Sequence, residues 1–197
     1  MFVTIFDISQ EVFSCRVFPG DPKPSYERIC SIDGGEAYNL TRFSMCAHNG
    51  THIDAPYHFI NDGSTVDRLG LTPFVGECYV ACREGELGSE DVIDIMEKAR
   101  SLDAAKRILI AGKAVVTAEA ARAFSQSGIL LLGNESQTVG PEDAPAEVHH
   151  ILLGAGIVLL EGIVLDKISE GKYFLSAAPL NLGGSDGAPC RAYLMTC

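Results

Sequence analysis

The stretch PAEVHHILLGAGIVLLE, residues 145–161, predicts a helix that leads directly into a buried strand. The helix covers residues 145–154 and stops at Gly154 or Gly156, because glycine commonly closes helices. Residues 157–161 follow as a short apolar run, which is typical of a strand covered on both faces. Such a helix–strand unit is the connection that parallel strands require, so it indicates a sheet with a parallel part.

The same order occurs in the preceding sequence. Residues 107–111 (RILIA) predict a strand, Thr117 caps a helix that ends before Gly128, and residues 129–132 (ILLL) predict the next strand. An earlier helix is predicted at about residues 90–100. Its buried face is expected to consist of Val92, Ile93, Met96 and Ala99. Alternating strands and helices predict the parallel centre of an α/β fold.

The remaining sequence alternates apolar and polar residues without helical periodicity, which indicates antiparallel strands. The predicted strands are residues 2–8, 12–18, 26–32, 38–46, 74–82, 173–178 and 190–196, with a loop-rich region from His48 to Thr72. Together these elements predict an α/β protein with a single mixed β-sheet domain, residues 1–197, flanked by helices.

Composition excludes several classes of partner. The 197 residues carry a formal net charge of −11, which disfavours nucleic acid and anionic membrane surfaces as partners. No stretch approaches the ~20 apolar residues of a membrane span. The seven cysteines are scattered and form no C-x-x-C pair, so they are expected to be mostly buried, reduced thiols in the cytoplasm.

All five histidines fall into two clusters, and the first is AHNGTHIDAPYHF, residues 47–59. In an extended strand His48 and His52 would be about 13 Å apart, at ~3.3 Å per residue. The Asn-Gly pair between them favours a turn that folds His48 back. Two imidazoles and the carboxylate of Asp54 then form a plausible divalent-metal site. His58 would lie beside it as a candidate general acid/base.

The second cluster lies in the helix–strand unit, where His149 and His150 precede Glu161. An ionised carboxylate inside so apolar a run is costly to bury without a partner, and a metal or another cation would be one. Helix–strand packing could bring His149 to the end of this strand. The alternative is that Glu161 faces water on a loop and both histidines lie on the helix surface. His150 is expected to be exposed in either case.

Residues 48–58, HNGTHIDAPYH, resemble the H-x-G-T-H-x-D-x-P-x-H signature of the cyclase family of metal-dependent hydrolases, which includes bacterial kynurenine formamidase and isatin hydrolase. The resemblance extends to Asp7-Ile8-Ser9, Pro19-Gly20-Asp21, the spacing from His149 to Glu161 and the A-P-L of residues 178–180. It therefore spans essentially the whole chain.

The resemblance implies a swivelling β/β/α fold, assembled as a homodimer or homotetramer, with one or two divalent ions per subunit. Zinc is the first expectation and manganese the second. The implied ligands of one ion are His48, His52 and Asp54. The implied ligands of a second ion are Asp54, His149 and Glu161, with Asp54 bridging. His58 would transfer the proton.

The implied activity is hydrolysis of the C–N bond of a small formamide, amide or lactam by metal-activated water. A lactone or cyclic ester hydrolase, and a metal- or small-molecule-binding protein without turnover, are the alternatives. The aromatic side chains that could stack on an aromatic substrate are Phe18, Tyr57, Phe59 and Phe74. Asp21 is either a turn residue or a substrate contact. Residues 133–138 (GNESQT) depart from the G-I-D-T-P-S-like stretch that the formamidases of this family usually carry, so the resemblance does not specify N-formylkynurenine.

Overall fold

The computed structural model describes residues 3–196, so Phe2 of the predicted first strand and Cys197 lie outside the described residues. The strands are β1 (Ile5–Asp7), β2 (Ser25–Cys30), β3 (Leu40–Ser44), β4 (His52–Asp54), β5 (Val75–Cys82), β6 (Gly85–Leu87), β7 (Arg107–Ala111), β8 (Ala114–Val116), β9 (Leu131–Asn134), β10 (Val158–Glu161), β11 (Gly171–Ser176), β12 (Gly187–Pro189) and β13 (Tyr193–Met195). The helices are α1 (Ser89–Ser101), α2 (Ala118–Ser127) and α3 (Ala146–Gly154).

Nine of these strands form one mixed sheet in the order β1-β13-β11-β5-β7-β9-β10-β4-β12. The four central strands β5, β7, β9 and β10 are parallel to one another, and the flanking pairs are antiparallel. Two small sheets, β2-β3 and β6-β8, lie outside it. The predicted mixed sheet, with helices between its parallel strands, is confirmed.

All three helices pack on one face of the sheet. Tyr79, Ile108, Leu132 and Leu159 point into the same apolar cluster as the buried residues of the helices, among them Phe124 of α2. The alternate residues of these strands point into a second cluster that contains no helical residue. The central strands are therefore covered on both faces, which explains why their sequences are continuously apolar.

The sheet curls, so that segments near its two ends approach each other around the second cluster. β1 and β13 are neighbours at one end of the sheet, and the backbone N–H of Ile8 extends their pairing by donating to the carbonyl of Ala192 at 3.0 Å. The N–H of Val164, just after β10, donates to the carbonyl of Ile8 at 2.9 Å. The cluster on the concave face is thus enclosed by the curled sheet and its loops.

Several local predictions were wrong. Residues 12–18 contain no strand; instead Val12–Ser14 form a 3-10 turn, because the carboxylate of Glu11 accepts the backbone N–H groups of Phe13 and Ser14. Strand β4 lies inside the region predicted to be loop-rich. Ile93 is 58% exposed, and Ile95 takes its place on the buried face of α1.

Within residues 3–196, no helix combines the length and the apolar character that crossing a bilayer requires. The six cysteines of this part of the chain carry free thiols. Only Cys78 among them is fully buried, so the expectation of mostly buried cysteines was too strong.

The core side chain of α2 provides a test of this packing. Phe124 is fully buried between the helices and the sheet. Phe124→Ala should lower the free energy of unfolding by about 3–5 kcal/mol, because it removes buried apolar surface and leaves a cavity. Ile93→Ala, on the exposed side of α1, should change it by less than about 0.5 kcal/mol. Urea unfolding of both variants would measure this, and equal losses would contradict the helix orientation.

Candidate metal centre

The pairing of β4 with β10 places three polar side chains together on the helical face of the sheet. His52 and Asp54 are two residues apart on β4 and therefore point to the same face. Glu161 ends β10 and lies directly opposite His52 in the antiparallel register. All three are buried, with exposures of 1%, 1% and 2%. Glu161 therefore does not face water, and the loop alternative for it is wrong.

Helix α3 supplies the fourth residue, His149, which is 2% exposed. Its Nδ1 donates to the carbonyl of Pro145 at 2.8 Å, so its Nε2 points at the carboxylates. That nitrogen lies 3.2 Å from Oε1 of Glu161 and 3.6 Å from Oδ2 of Asp54. The N–H of Val139 also donates to Oε1 of Glu161, at 2.8 Å. His150, one residue further along α3, is exposed as predicted.

The turn before β4 orients His52 in the same way. Its Nδ1 donates to the carbonyl of Gly50 at 3.0 Å. Its Nε2 then lies 3.3 Å from Oδ1 of Asp54 and 3.5 Å from Oε2 of Glu161. Gly50 has a φ of 66°, a left-handed conformation that glycine adopts without strain. The expected turn between the two histidines is therefore present, and it brings their ring centroids to 5.1 Å.

His48 and His58 complete the cluster on its more exposed side. Nδ1 of His48 lies 2.8 Å from Oδ1 of Asp54. The rings of His48 and His58 stack with a centroid distance of 3.9 Å and an interplanar angle of 27°. Oδ2 of Asp186 lies 2.8 Å from Nε2 of His48 and 3.1 Å from Nδ1 of His58.

Asp186 was missed by the sequence analysis. It stands in the glycine-rich segment GGSDG, residues 183–187, more than a hundred residues from the histidines it contacts. Strand β12 pairs with β4 and thereby brings this segment to the site. Gly187 permits the approach, because a Cβ there would lie 2.7 Å from Cε1 of His48 and 2.6 Å from the carbonyl oxygen of Ile53. The glycines around a lone Asp were the one available sequence signal.

The donor set fits a divalent ion. The ligand atoms of His52, Asp54 and Glu161 lie within 4.8 Å of one another, as do those of His48, Asp54 and His58. Oδ2 of Asp54 is buried and has no hydrogen-bond partner among residues 3–196. Imidazole nitrogens and carboxylates are suitable ligands for zinc and manganese. Both groups share Asp54, as the two predicted ligand sets do. The predicted sets, however, place His48 with His52, whereas these groups place His48 with His58 and His52 with Glu161.

Without an ion, the carboxylates hold protons on the imidazoles. Burial opposes the charged form of His48, but hydrogen bonds to Asp186 and Asp54 outweigh it and raise the pKa of His48 to about 9. Burial likewise opposes charge on His52 and His149, yet Asp54 and Glu161 raise the pKa of each ring to about 10. Hydrogen bonds from His48 and His58 hold the pKa of Asp186 well below its usual range.

A cavity of about 290 Å³ opens onto this cluster. Phe18 and Asp21 both line it, as do Gln137 and Thr138 of the segment that departs from the family pattern. The ring of Phe59 stacks on His149 with a centroid distance of 4.5 Å and forms a further part of the wall. Phe74, another aromatic residue that could have stacked on a substrate, is buried in the core instead.

Comparisons with known proteins identify the family of the chain. The Cyclase family model matches residues 6–141. A kynurenine formamidase of Bacillus cytotoxicus is 35% identical over 203 residues, covering 95% of each chain. A kynurenine formamidase of Erythrobacter litoralis is 32% identical over 204 residues, covering 96% of this chain and 93% of the relative.

Solved structures share the fold. A protein described as a potential metal-dependent hydrolase with cyclase activity superposes with a TM-score of 0.83 at 26% identity, covering 98% of each chain. Isatin hydrolase A from Labrenzia aggregata superposes with a TM-score of 0.83 at 24% identity, covering 98% of this chain and 94% of its own, and shows the fold alone. The chain belongs to the Cyclase family.

The raised pKa values predict that metal binding releases protons. The charged rings stabilise the metal-free fold below the unfolded pKa of about 6.5, and this contribution is lost as the pH rises through about 9 to 10. An ion requires neutral imidazoles, so zinc affinity should increase as the pH rises from neutral. Calorimetric titration with zinc in two buffers of different ionisation enthalpy should show net proton release. His52→Ala should bind zinc much more weakly and release correspondingly fewer protons, and buffer-independent heats in the wild type would contradict the prediction.

Proposed function

We propose that this protein is a metal-dependent hydrolase that cleaves the C–N bond of a small formamide, amide or lactam, with residues 1–197 acting as one domain. The observation that carries the proposal is the convergence of histidine nitrogens and two buried carboxylates beside a small cavity. The names of the relatives support the class of bond.

The metal is proposed to be zinc, with manganese as the second choice and one or two ions per subunit. The residues that would hold it are His48, His52, Asp54, His149 and Glu161. When bound, the ion supplies Lewis acidity, which lowers the pKa of a water ligand towards neutrality and polarises the substrate carbonyl.

The residues of the chain supply proton transfer and substrate binding. His58 stands at the cavity wall beside the cluster, where it can take a proton from the attacking water and deliver it to the leaving nitrogen. Phe18 and Phe59 offer apolar surfaces to a small planar substrate, and Asp21 offers a polar contact. Gln137 and Thr138 also line the wall, and they belong to the segment that departs from the formamidase pattern. We therefore propose a class of substrate and no particular compound.

A metal and activity assay tests this assignment. Protein purified without added metal should contain zinc or manganese, and His52→Ala should lose it. Zinc-loaded His58→Ala should keep the ion and lose at least about 100-fold in kcat on formanilide, since general acid–base catalysis contributes about 10²–10⁴. The matched control is His150→Ala, an exposed neighbour of His149, which should behave as wild type.

The outcomes separate the competing functions. Full activity of His58→Ala would remove its role in proton transfer. Hydrolysis of lactones but not of formanilide or lactams would favour the cyclic ester hydrolase. A folded protein that binds zinc tightly and turns over none of these compounds would be a binding protein. A folded protein that cannot be loaded with metal would overturn the proposal altogether.

We also propose that the protein works in a reducing cytoplasm, and its free thiols support this location.

We propose further that the protein is a homodimer or homotetramer. The hairpin of β2 and β3 with its connection, residues 25–44, is here called the arm. The arm forms its own two-stranded sheet and is almost entirely exposed. An isolated two-stranded hairpin is marginally stable in water. Its exposed apolar side chains, which a second copy could cover, are Tyr26, Ile29, Ile32, Tyr38, Leu40 and Phe43.

Charge on the arm should therefore weaken self-association. Ile32→Lys combined with Tyr38→Lys, both positions 56% exposed, should shift the wild-type oligomer towards monomer at micromolar concentration, because a buried unpaired charge is costly. Ile93→Lys, at a 58% exposed position on α1, is the matched control and should leave the oligomer intact. Sedimentation velocity measures both, and a monomeric wild type would refute the proposal.

A further inference from the structure

One carboxylate oxygen connects the two histidines on the exposed side of the metal centre. Oδ2 of Asp186 lies 2.8 Å from Nε2 of His48 and 3.1 Å from Nδ1 of His58. An ionised carboxylate only accepts hydrogen bonds, and each oxygen can accept more than one. Both ring nitrogens must therefore carry a proton and donate it to Asp186.

For His48 this contact decides which nitrogen is available to an ion. Because Nε2–H donates to Asp186, Nδ1 is the nitrogen that can bind a metal once it has lost its proton. Nδ1 already faces the shared carboxylate, 2.8 Å from Oδ1 of Asp54. His52 and His149 are oriented in the same manner by backbone carbonyls, those of Gly50 and Pro145. Of these three histidines, only His48 has its ring orientation set by a side chain, that of Asp186.

A neutral imidazole carries one proton. In His58 this proton lies on Nδ1, because Nδ1 donates to Asp186, and Nε2 therefore carries none. Nε2 is then a base, and it is the nitrogen through which His58 can exchange a proton with a bound substrate. A carboxylate on the far nitrogen holds the ring in one tautomer and one orientation, and it stabilises the charged ring that forms during proton transfer. The stacking of His58 on His48 fixes the plane of the ring but not its tautomer.

The backbone around Asp186 is held in place independently of its carboxylate. The N–H of Ala55 donates to the carbonyl of Asp186, and the N–H of Val66 donates to that of Ser185, each at 2.9 Å. The N–H of Gly184 donates to Oδ1 of Asp67 at 2.9 Å. The side chain of Asp186 is 41% exposed, so a small solute can reach its position.

We propose that Asp186 is a positioning residue that sets the tautomers of both His48 and His58, so that Nδ1 of His48 is the nitrogen that would hold an ion and Nε2 of His58 is the nitrogen that would exchange a proton. The catalytic part of this inference rests on the proposed function. The tautomers themselves do not, and they can be measured without turnover.

The direct test is ¹⁵N–¹H correlation spectroscopy of zinc-loaded protein with ¹⁵N-labelled histidine. Wild type should show His58 as the Nδ1–H tautomer and His48 with its proton on Nε2. Asp186→Ala should shift His58 towards the Nε2–H form, and Asp186→Asn, whose amide can also donate, should give a mixture. Asp67→Asn is the matched control, since it changes a carboxylate that holds the same loop, and it should retain the wild-type tautomers.

Kinetics on formanilide supplies the second readout. Both Asp186 variants should lose about 10- to 100-fold in kcat with little change in KM, because Asp186 does not line the cavity. Formate should partly restore kcat of Asp186→Ala by occupying the position of the lost carboxylate. It should not restore His58→Ala.

The two readouts distinguish the two possible failures. Wild-type tautomers in both Asp186 variants, or unchanged kcat in them, would overturn the positioning role while leaving the hydrolase intact. Tautomers that depend on Asp186 in a protein that hydrolyses neither formamides nor lactams would uphold the positioning of both rings and overturn the proposed function. A wild type with His58 in the Nε2–H form would overturn the positioning role directly.

Discussion

The structure around the site depends on the cost of burying two carboxylates. Asp54 and Glu161 are each almost completely excluded from water, in a sheet whose central strands are otherwise apolar. A buried carboxylate requires a counter-charge or several donors. Three histidine rings and a backbone N–H supply them here, and each ring has its far nitrogen anchored to a backbone carbonyl or to Asp186. Each ring is therefore held in one orientation, with its other nitrogen directed at a buried carboxylate.

Much of this arrangement could be predicted from the sequence, because its signals are local. The apolar runs at 107–111 and 157–161 predicted buried strands, and the glycines at the ends of α2 and α3 marked where those two helices stopped. The Asn-Gly pair before His52 indicated the turn. Glu161 was recognisable because an acid at the end of an apolar run needs a partner, and His149 stood one helix–strand connection away.

The parts that could not be predicted depend on pairing between distant segments. Strand β4 is three residues long and gains its register from β10 and β12, so its own sequence contains too little periodicity to identify it. Asp186 has no local signal beyond its glycines, and it meets His48 across 138 positions. Residues 12–18 alternate like a strand, but the side chain of Glu11 caps a tight turn there, a local hydrogen bond that overrides the pattern.

The distribution of the site along the chain has a consequence for how the protein matures during synthesis. The histidine-rich segment, residues 47–59, is synthesised within the first third of the chain, whereas Glu161 and Asp186 follow more than a hundred residues later. Until β10 and β12 pair with β4, the site lacks Glu161 and Asp186, so His48, His52 and Asp54 are without the partners that hold them in the folded protein. The residues that would hold an ion are therefore brought together only after segments from the last fifth of the chain have paired with β4.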